Sequence, residues 1–181
     1  MNRLKQLQNY GQSVWLDYIR RSLIESGELQ DLIEQDGIKG VTSNPSIFQK
    51  AIAGSSDYDS TLEALETGQD FDAMSLYEKL AIADIQAAAD LLQPIYQETN
   101  RKDGYVSLEV SLYLAHDTEA TLTEARHLWQ AVARPNLMVK VPAFPEGIWA
   151  IEQLIGEGIN VNVTLLFSQT VYHPSFVTFR D

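Results

Sequence analysis

The run LMVKVPA places Lys140 inside an otherwise apolar, strand-like stretch. An ammonium in such surroundings loses its hydration, so it must be ion-paired, reach water along its own stem, or give up its proton. A desolvated neutral lysine is the nucleophile that condenses with a sugar carbonyl to form a Schiff base. That chemistry also needs a group to move protons through carbinolamine and imine, and a base for the bond that is cleaved. Glu109, Asp17 and Thr164 are of the right types, and each lies on or at the end of another strand-like segment. The same residues allow a simpler arrangement, a buried Lys140–Glu109 salt bridge with no chemistry.

Helical and strand-like signals alternate along the chain. Strands are predicted at 13–18, 38–43, 105–110, 137–141 and 159–165. Between them lie an amphipathic stretch at 19–35 and a long helical region at 46–97, broken near Gly54 and Gly68. Further helices are predicted at 117–133 and 146–157. Five strands spaced by helices imply βαβ units and a parallel sheet. With the strand period of two, Ser13, Trp15 and Asp17 share a face, as do Ser107, Glu109 and Ser111. Met138, Lys140 and Pro142 share another, and Asn160, Asn162 and Thr164 a fourth, while the second strand ends in Thr42, Ser43 and Asn44. Parallel strands are usually apolar on both faces. Five strands that each bring a polar residue to the C-terminal end favour a (β/α)8 barrel, in which all those ends meet at one mouth. The alternative is a set of solvated strand ends.

The 181 residues suggest one domain or part of a larger one, and 45% hydrophobic residues suffice for a core. A net charge of -12 argues against a nucleic-acid partner, which needs clustered Lys and Arg. The absence of cysteine excludes disulfides and thiolate chemistry. The segment MNRLKQLQNYGQ lacks the apolar core of a signal peptide, and no run approaches the roughly 18 apolar residues of a membrane span. A soluble cytoplasmic protein without a membrane partner is expected. His127 and His173 have no companion at metal-ligand spacing, so no metal is expected. His116 is expected at a helix start, with Asp117 or Thr118 as the cap. Asn162-Val163-Thr164 matches a glycosylation sequon, but on a predicted buried strand this is coincidence. Trp15, Trp129 and Trp149 are expected in the core or between helices and barrel.

GVTSNPSIF (40–48), LMVKVPA (137–143) and GINVNVTLLFS (158–168) resemble, in order, the second-strand signature, the Schiff-base lysine segment and the following strand of the transaldolase family. VWLDYI and SLEVS fit as well, and the spacing most resembles the longer transaldolases of plants and cyanobacteria. The resemblance implies a TIM-type barrel of the class I aldolase kind, present here as about its first five strands, with neither metal nor organic cofactor. It implies that Lys140 forms an imine with a ketose phosphate such as fructose 6-phosphate or sedoheptulose 7-phosphate. Asp17 would take the proton of the hydroxyl beside the breaking carbon–carbon bond. Glu109 and Thr164 would hold a water and relay protons. Thr42, Asn44 and Asn162 would bind the sugar and the dihydroxyacetone enamine, which then attacks an aldose phosphate.

Phe144 stands where the family usually has Ser or Thr, and Leu112 where close relatives have Pro. Residues 1–168 read as the N-terminal part of the barrel and 169–181 as an off-pattern tail, with Pro174 where helix should continue. The family's phosphate-binding segment has no counterpart here. The expectation is therefore a barrel that cannot close from this chain alone, with open strand edges that invite oligomers or aggregates and weak or absent activity. Two other readings remain: a related Schiff-base aldolase that releases free dihydroxyacetone, and an inactive half-barrel that associates with another chain.

Overall fold

A computed structural model describes residues 2–66 and 72–172. The expected break at Gly68, His173 and the tail from 173 onward lie outside the described residues. The sheet has five parallel strands, hydrogen-bonded in chain order: β1 (Trp15–Leu16), β2 (Gly40–Thr42), β3 (Tyr105–Glu109), β4 (Leu137–Pro142) and β5 (Val161–Thr164). With helices following the strands, this is an α/β fold of the incomplete (β/α)-barrel kind. The chain divides into two compact units at the boundary between Val106 and Ser107.

In the first unit every expected strand exists but is short. Ser13, Asp17 and Tyr18 are exposed and fall outside the ladder, leaving Trp15 and Leu16 opposite Gly40 and Val41. A Cβ on Gly40 would run into the Trp15 indole, so glycine is what lets the ring lie across β2. The helix predicted over 19–35 is instead α2 (Arg21–Glu25), α3 (Glu28–Asp31) and a π-turn at Leu32–Asp36. Gly27, at φ 84°, makes the break, because only glycine adopts that conformation at no cost. Hydrophobic spacing does not register such a kink. The long helical region is α4 (Pro45–Ala53), α5 (Asp59–Glu66) and α6 (Ala73–Glu98), with the break at Gly54 as predicted.

The first helix, α1 (Arg3–Leu7), buries none of its residues, Leu4 and Leu7 included. Its role lies in its polar side chains. Lys5 Nζ donates to the Glu34 carbonyl at 2.5 Å, Asn2 Nδ2 to that of Gln35 at 3.2 Å, and Gln8 Nε2 to that of Gly37 at 3.2 Å. These are carbonyls that a helical end leaves without an internal partner.

A polar network ties α2 to the two helices that follow α4. Arg21 Nε donates to Asp84 Oδ1 at 2.9 Å and its Nη1 to Thr61 Oγ1 at 2.8 Å. The Tyr58 hydroxyl donates to Asp84 Oδ2 at 2.7 Å, and the Arg21 guanidinium lies 4.7 Å from the centre of the Tyr58 ring. Burial pushes the Asp84 carboxyl and the Tyr58 phenol above their ordinary ranges, and Tyr58 and Arg21 pull the carboxyl back down. Next to it, Arg20 grips Asp57 through two hydrogen bonds of 2.6 and 2.9 Å and holds that carboxyl well below the usual range.

Asp84→Ala strands the Arg21 guanidinium in a buried site and should cost about 3–5 kcal/mol of unfolding free energy. Tyr58→Phe removes one hydrogen bond and should cost about 1–2 kcal/mol. Urea denaturation measures both, and an unchanged midpoint in Asp84→Ala would deny the network its role. Asp57 also makes an acid-labile contact. Its carboxyl titrates lower in the fold than in the unfolded chain, so its contribution is present above about pH 4 and is lost as pH falls. Asp57→Asn should flatten the acid limb of the stability curve.

Candidate active site

The candidate chemistry of the second unit gathers on one face of β3, β4 and β5. Lys140 Nζ lies 3.3 Å from Glu109 Oε2, with the two side chains only 13% and 6% exposed. The backbone sets this meeting. The Val110 amide donates to the Lys140 carbonyl at 3.1 Å, which puts β3 and β4 in the register that brings the two side chains together. Leu137, Val139 and Val141 point the other way into the core and are fully buried. The strand period then leaves Met138 and Lys140 on the opposite face.

On the other side β5 pairs in parallel, with Lys140 opposite Asn162 and Pro142 opposite Thr164. Asn162 Nδ2 donates to Ser107 Oγ at 3.1 Å. That bond links β5 to β3 over the strand between them. Flat parallel strands two apart stand about 9–10 Å from each other. Two short side chains bridge that gap only where the sheet bends toward them, so this face is concave. Thr164 is half-buried at the end of β5, where its carbonyl accepts from the Ala143 amide at 2.8 Å. Asn160 is occupied elsewhere, its amide donating to the carbonyls of Pro135 and Leu137 at 3.0 and 2.9 Å.

Asp17, Thr42 and Asn44 belong to the first unit. Asp17 is exposed, one residue past β1, and Thr42 is the half-buried last residue of β2. Asn44 is the N-cap of α4, its side-chain oxygen accepting from the Ile47 amide at 2.9 Å. Asn before a Pro at the first helical position is a capping signal that the sequence carries openly. Lys140, Glu109 and Asn162 are thus brought together, with Thr164 two register pairs further along. Among the described residues, no group of three His, Asp or Glu side chains could hold a metal ion, and no helix is long and apolar enough to cross a membrane.

Residues 14–174 match the model of the family described as Transaldolase/Fructose-6-phosphate aldolase. The chain belongs to that family. It is 51% identical over 172 residues to Transaldolase 2 of Nostoc punctiforme, covering 94% of this chain and 45% of that protein. It is 48% identical to the Transaldolase of Trichodesmium erythraeum, with the same coverage of both. The Transaldolase of Thiobacillus denitrificans is 52% identical over 168 residues, 93% of this chain and 46% of that protein. The chain therefore spans a little under half the length of these curated relatives.

Within this transaldolase-family fold, the departures at Phe144 and Leu112 have clear settings. Phe144 is the N-cap residue of α8 (Pro145–Gly156), and its ring lies 5.1 Å from that of His116. Leu112 opens an exposed 3-10 turn after β3. His116 precedes α7 (Thr118–Val132), where Asp117 is the cap, accepting from the Ala120 amide at 2.9 Å. Trp149 corrects an expectation: at 66% exposure it is not packed in the core. The buried stripe of α8 is Gly147, Ala150, Ile151 and Leu154, and Trp149 lies off it. Sequence reading also missed the Ser107–Asn162 bond, because strand period shows which residues share a face but not which of them touch.

The first turn of α8 folds back onto the end of β4, where a Cβ on Gly147 would run into the Pro142 carbonyl oxygen. Gly147→Ala must displace backbone two residues from Lys140. It should cost about 1–3 kcal/mol, as overpacking does, and thermal melts compared with Gly156→Ala, whose Cβ meets open space, provide the check.

Proposed function

We propose that this chain carries the Schiff-base half of a transaldolase site and takes part in moving a dihydroxyacetone unit from a ketose phosphate to an aldose phosphate. The observation that carries this reading is the Lys140–Glu109 contact at 3.3 Å on the concave face, with Asn162 in register beside it. In the proposed sequence the neutral amine of Lys140 attacks the ketose carbonyl carbon. Glu109 takes the ammonium proton and, with Thr164 and a water, returns protons to the carbinolamine oxygen so that it leaves as water. Asp17 then removes the proton of the hydroxyl next to the scissile carbon–carbon bond. The bond's electrons pass into the iminium, an aldose phosphate departs, and the dihydroxyacetone enamine remains on Lys140. Attack of that enamine on an acceptor aldehyde, followed by hydrolysis, restores the lysine. Thr42, Asn44 and Asn162 orient the sugar hydroxyls. The edges of β1 and β5 offer a route to association with a further chain.

A second reading has its own support, since the matching family includes fructose-6-phosphate aldolase by name. Such an enzyme releases free dihydroxyacetone, and product analysis with and without an acceptor aldose separates the two.

Borohydride reduction in the presence of fructose 6-phosphate should add mass at Lys140 and fail in Lys140→Ala. Label on another lysine would sink the assignment. Asp17→Ala should accumulate trapped imine because the base for cleavage is gone, while Glu109→Gln should slow imine formation itself. The reverse pattern would show the roles to be misassigned.

A further inference from the structure

Ser107 is a fully buried hydroxyl on β3, on the same face as Glu109 two residues along. A buried hydroxyl in a strand interior is kept only where a hydrogen bond compensates its desolvation. Its oxygen accepts from Asn162 Nδ2 at 3.1 Å, and Asn162 is the register partner of Lys140. We propose that Ser107 is a positioning residue: it holds the Asn162 amide in place beside Lys140, so that the amide meets the hydroxyls of a ketose bound at that lysine. This rests on the Schiff-base reading given above.

The physical basis is the broad last torsion of a carboxamide, which leaves an unanchored amide free to swing. Ser107 can both donate and accept, so what its bond fixes is the place of the Asn162 amide beside Lys140. Because the anchor comes from β3 and the amide from β5, the bond also spans β4 near the lysine, so loosening it frees the amide without removing any group that touches substrate.

The test is the rate of borohydride labelling at Lys140 of the 181-residue chain with two probes, dihydroxyacetone and acetone. Both present a ketone to the lysine, but acetone has no hydroxyl for Asn162 to hold. Ser107→Ala should label about fivefold more slowly with dihydroxyacetone, the worth of one hydrogen bond, and at the wild-type rate with acetone. In an Asn162→Ala background, Ser107→Ala should have no further effect with dihydroxyacetone. Equal losses with both probes, additive losses in the double variant, or no loss at all would overturn the proposal. A wild-type chain that labels at Lys140 with neither probe would defeat the Schiff-base reading itself and this inference with it.

Discussion

An ammonium on an apolar strand must be compensated where it stands, and much of the second unit follows from that requirement. Moving Lys140 out of water costs several kcal/mol, and only a close partner offsets it. Glu109 is that partner, and it reaches Lys140 because β3 and β4 lie in one register with their polar sides together. A slip of one residue would turn Lys140 into the core and bring Val139 or Val141 out. The ion pair and the fully buried Val139 and Val141 on the reverse face therefore enforce the same alignment. Asn162 then extends the polar face to β5, and its bond to Ser107 requires the curvature that a barrel wall has.

The turns that follow the strands repeat one device. After β2 comes Asn44-Pro45 and after β4 Phe144-Pro145, each time with the proline in the first helical turn. Proline there gives up an amide that would have no helical partner and presets the backbone, so the chain turns sharply from strand to helix. The two turns differ in their caps. Asn44 supplies its own side-chain oxygen, whereas Phe144 supplies none and packs near His116. Gly147 then admits α8 close to the Pro142 carbonyl. The strand end that carries Lys140 is braced by backbone contact, and the one that carries Thr42 by a hydrogen bond.

Much of this was legible in the sequence. The order of strands and helices followed from periodicity, and α7 and α8 lie within a residue or two of their predicted bounds. Strand faces predicted that Lys140 and Glu109 would point the same way, because the period of two is a strong constraint. Less was legible where backbone conformation decides. The left-handed Gly27 split a helix that its apolar spacing made look continuous, and the π-turn at 32–36 has no pattern of its own. α1 is held by side-chain bonds to the carbonyls of 34, 35 and 37 and not by burial of Leu4 and Leu7, so apolar spacing over five residues does not announce it. Trp149 was misplaced for a related reason: a large aromatic suggests a core, but the rotation of α8 puts that position toward water.

Among the described residues, Arg21–Asp84 and Lys140–Glu109 are both buried cation–carboxylate pairs, and their chemistry divides them. Arg21 meets Asp84 in a network where Thr61 and Tyr58 take up further donors and acceptors. A guanidinium offers a planar fork of donors and no nucleophilic amine, so this pair serves to hold structure. Lys140 and Glu109 are built from groups that can exchange a proton, on a concave face and beside an amide already fixed by Ser107. An arginine at 140 would keep the charge balance and lose the amine that the proposed Schiff base requires, while a lysine at 21 would keep the charge and lose the planar fork that reaches Asp84 and Thr61 together. The choice of cation, more than the presence of a buried pair, separates the element that stabilises the fold from the one that the proposed chemistry would use.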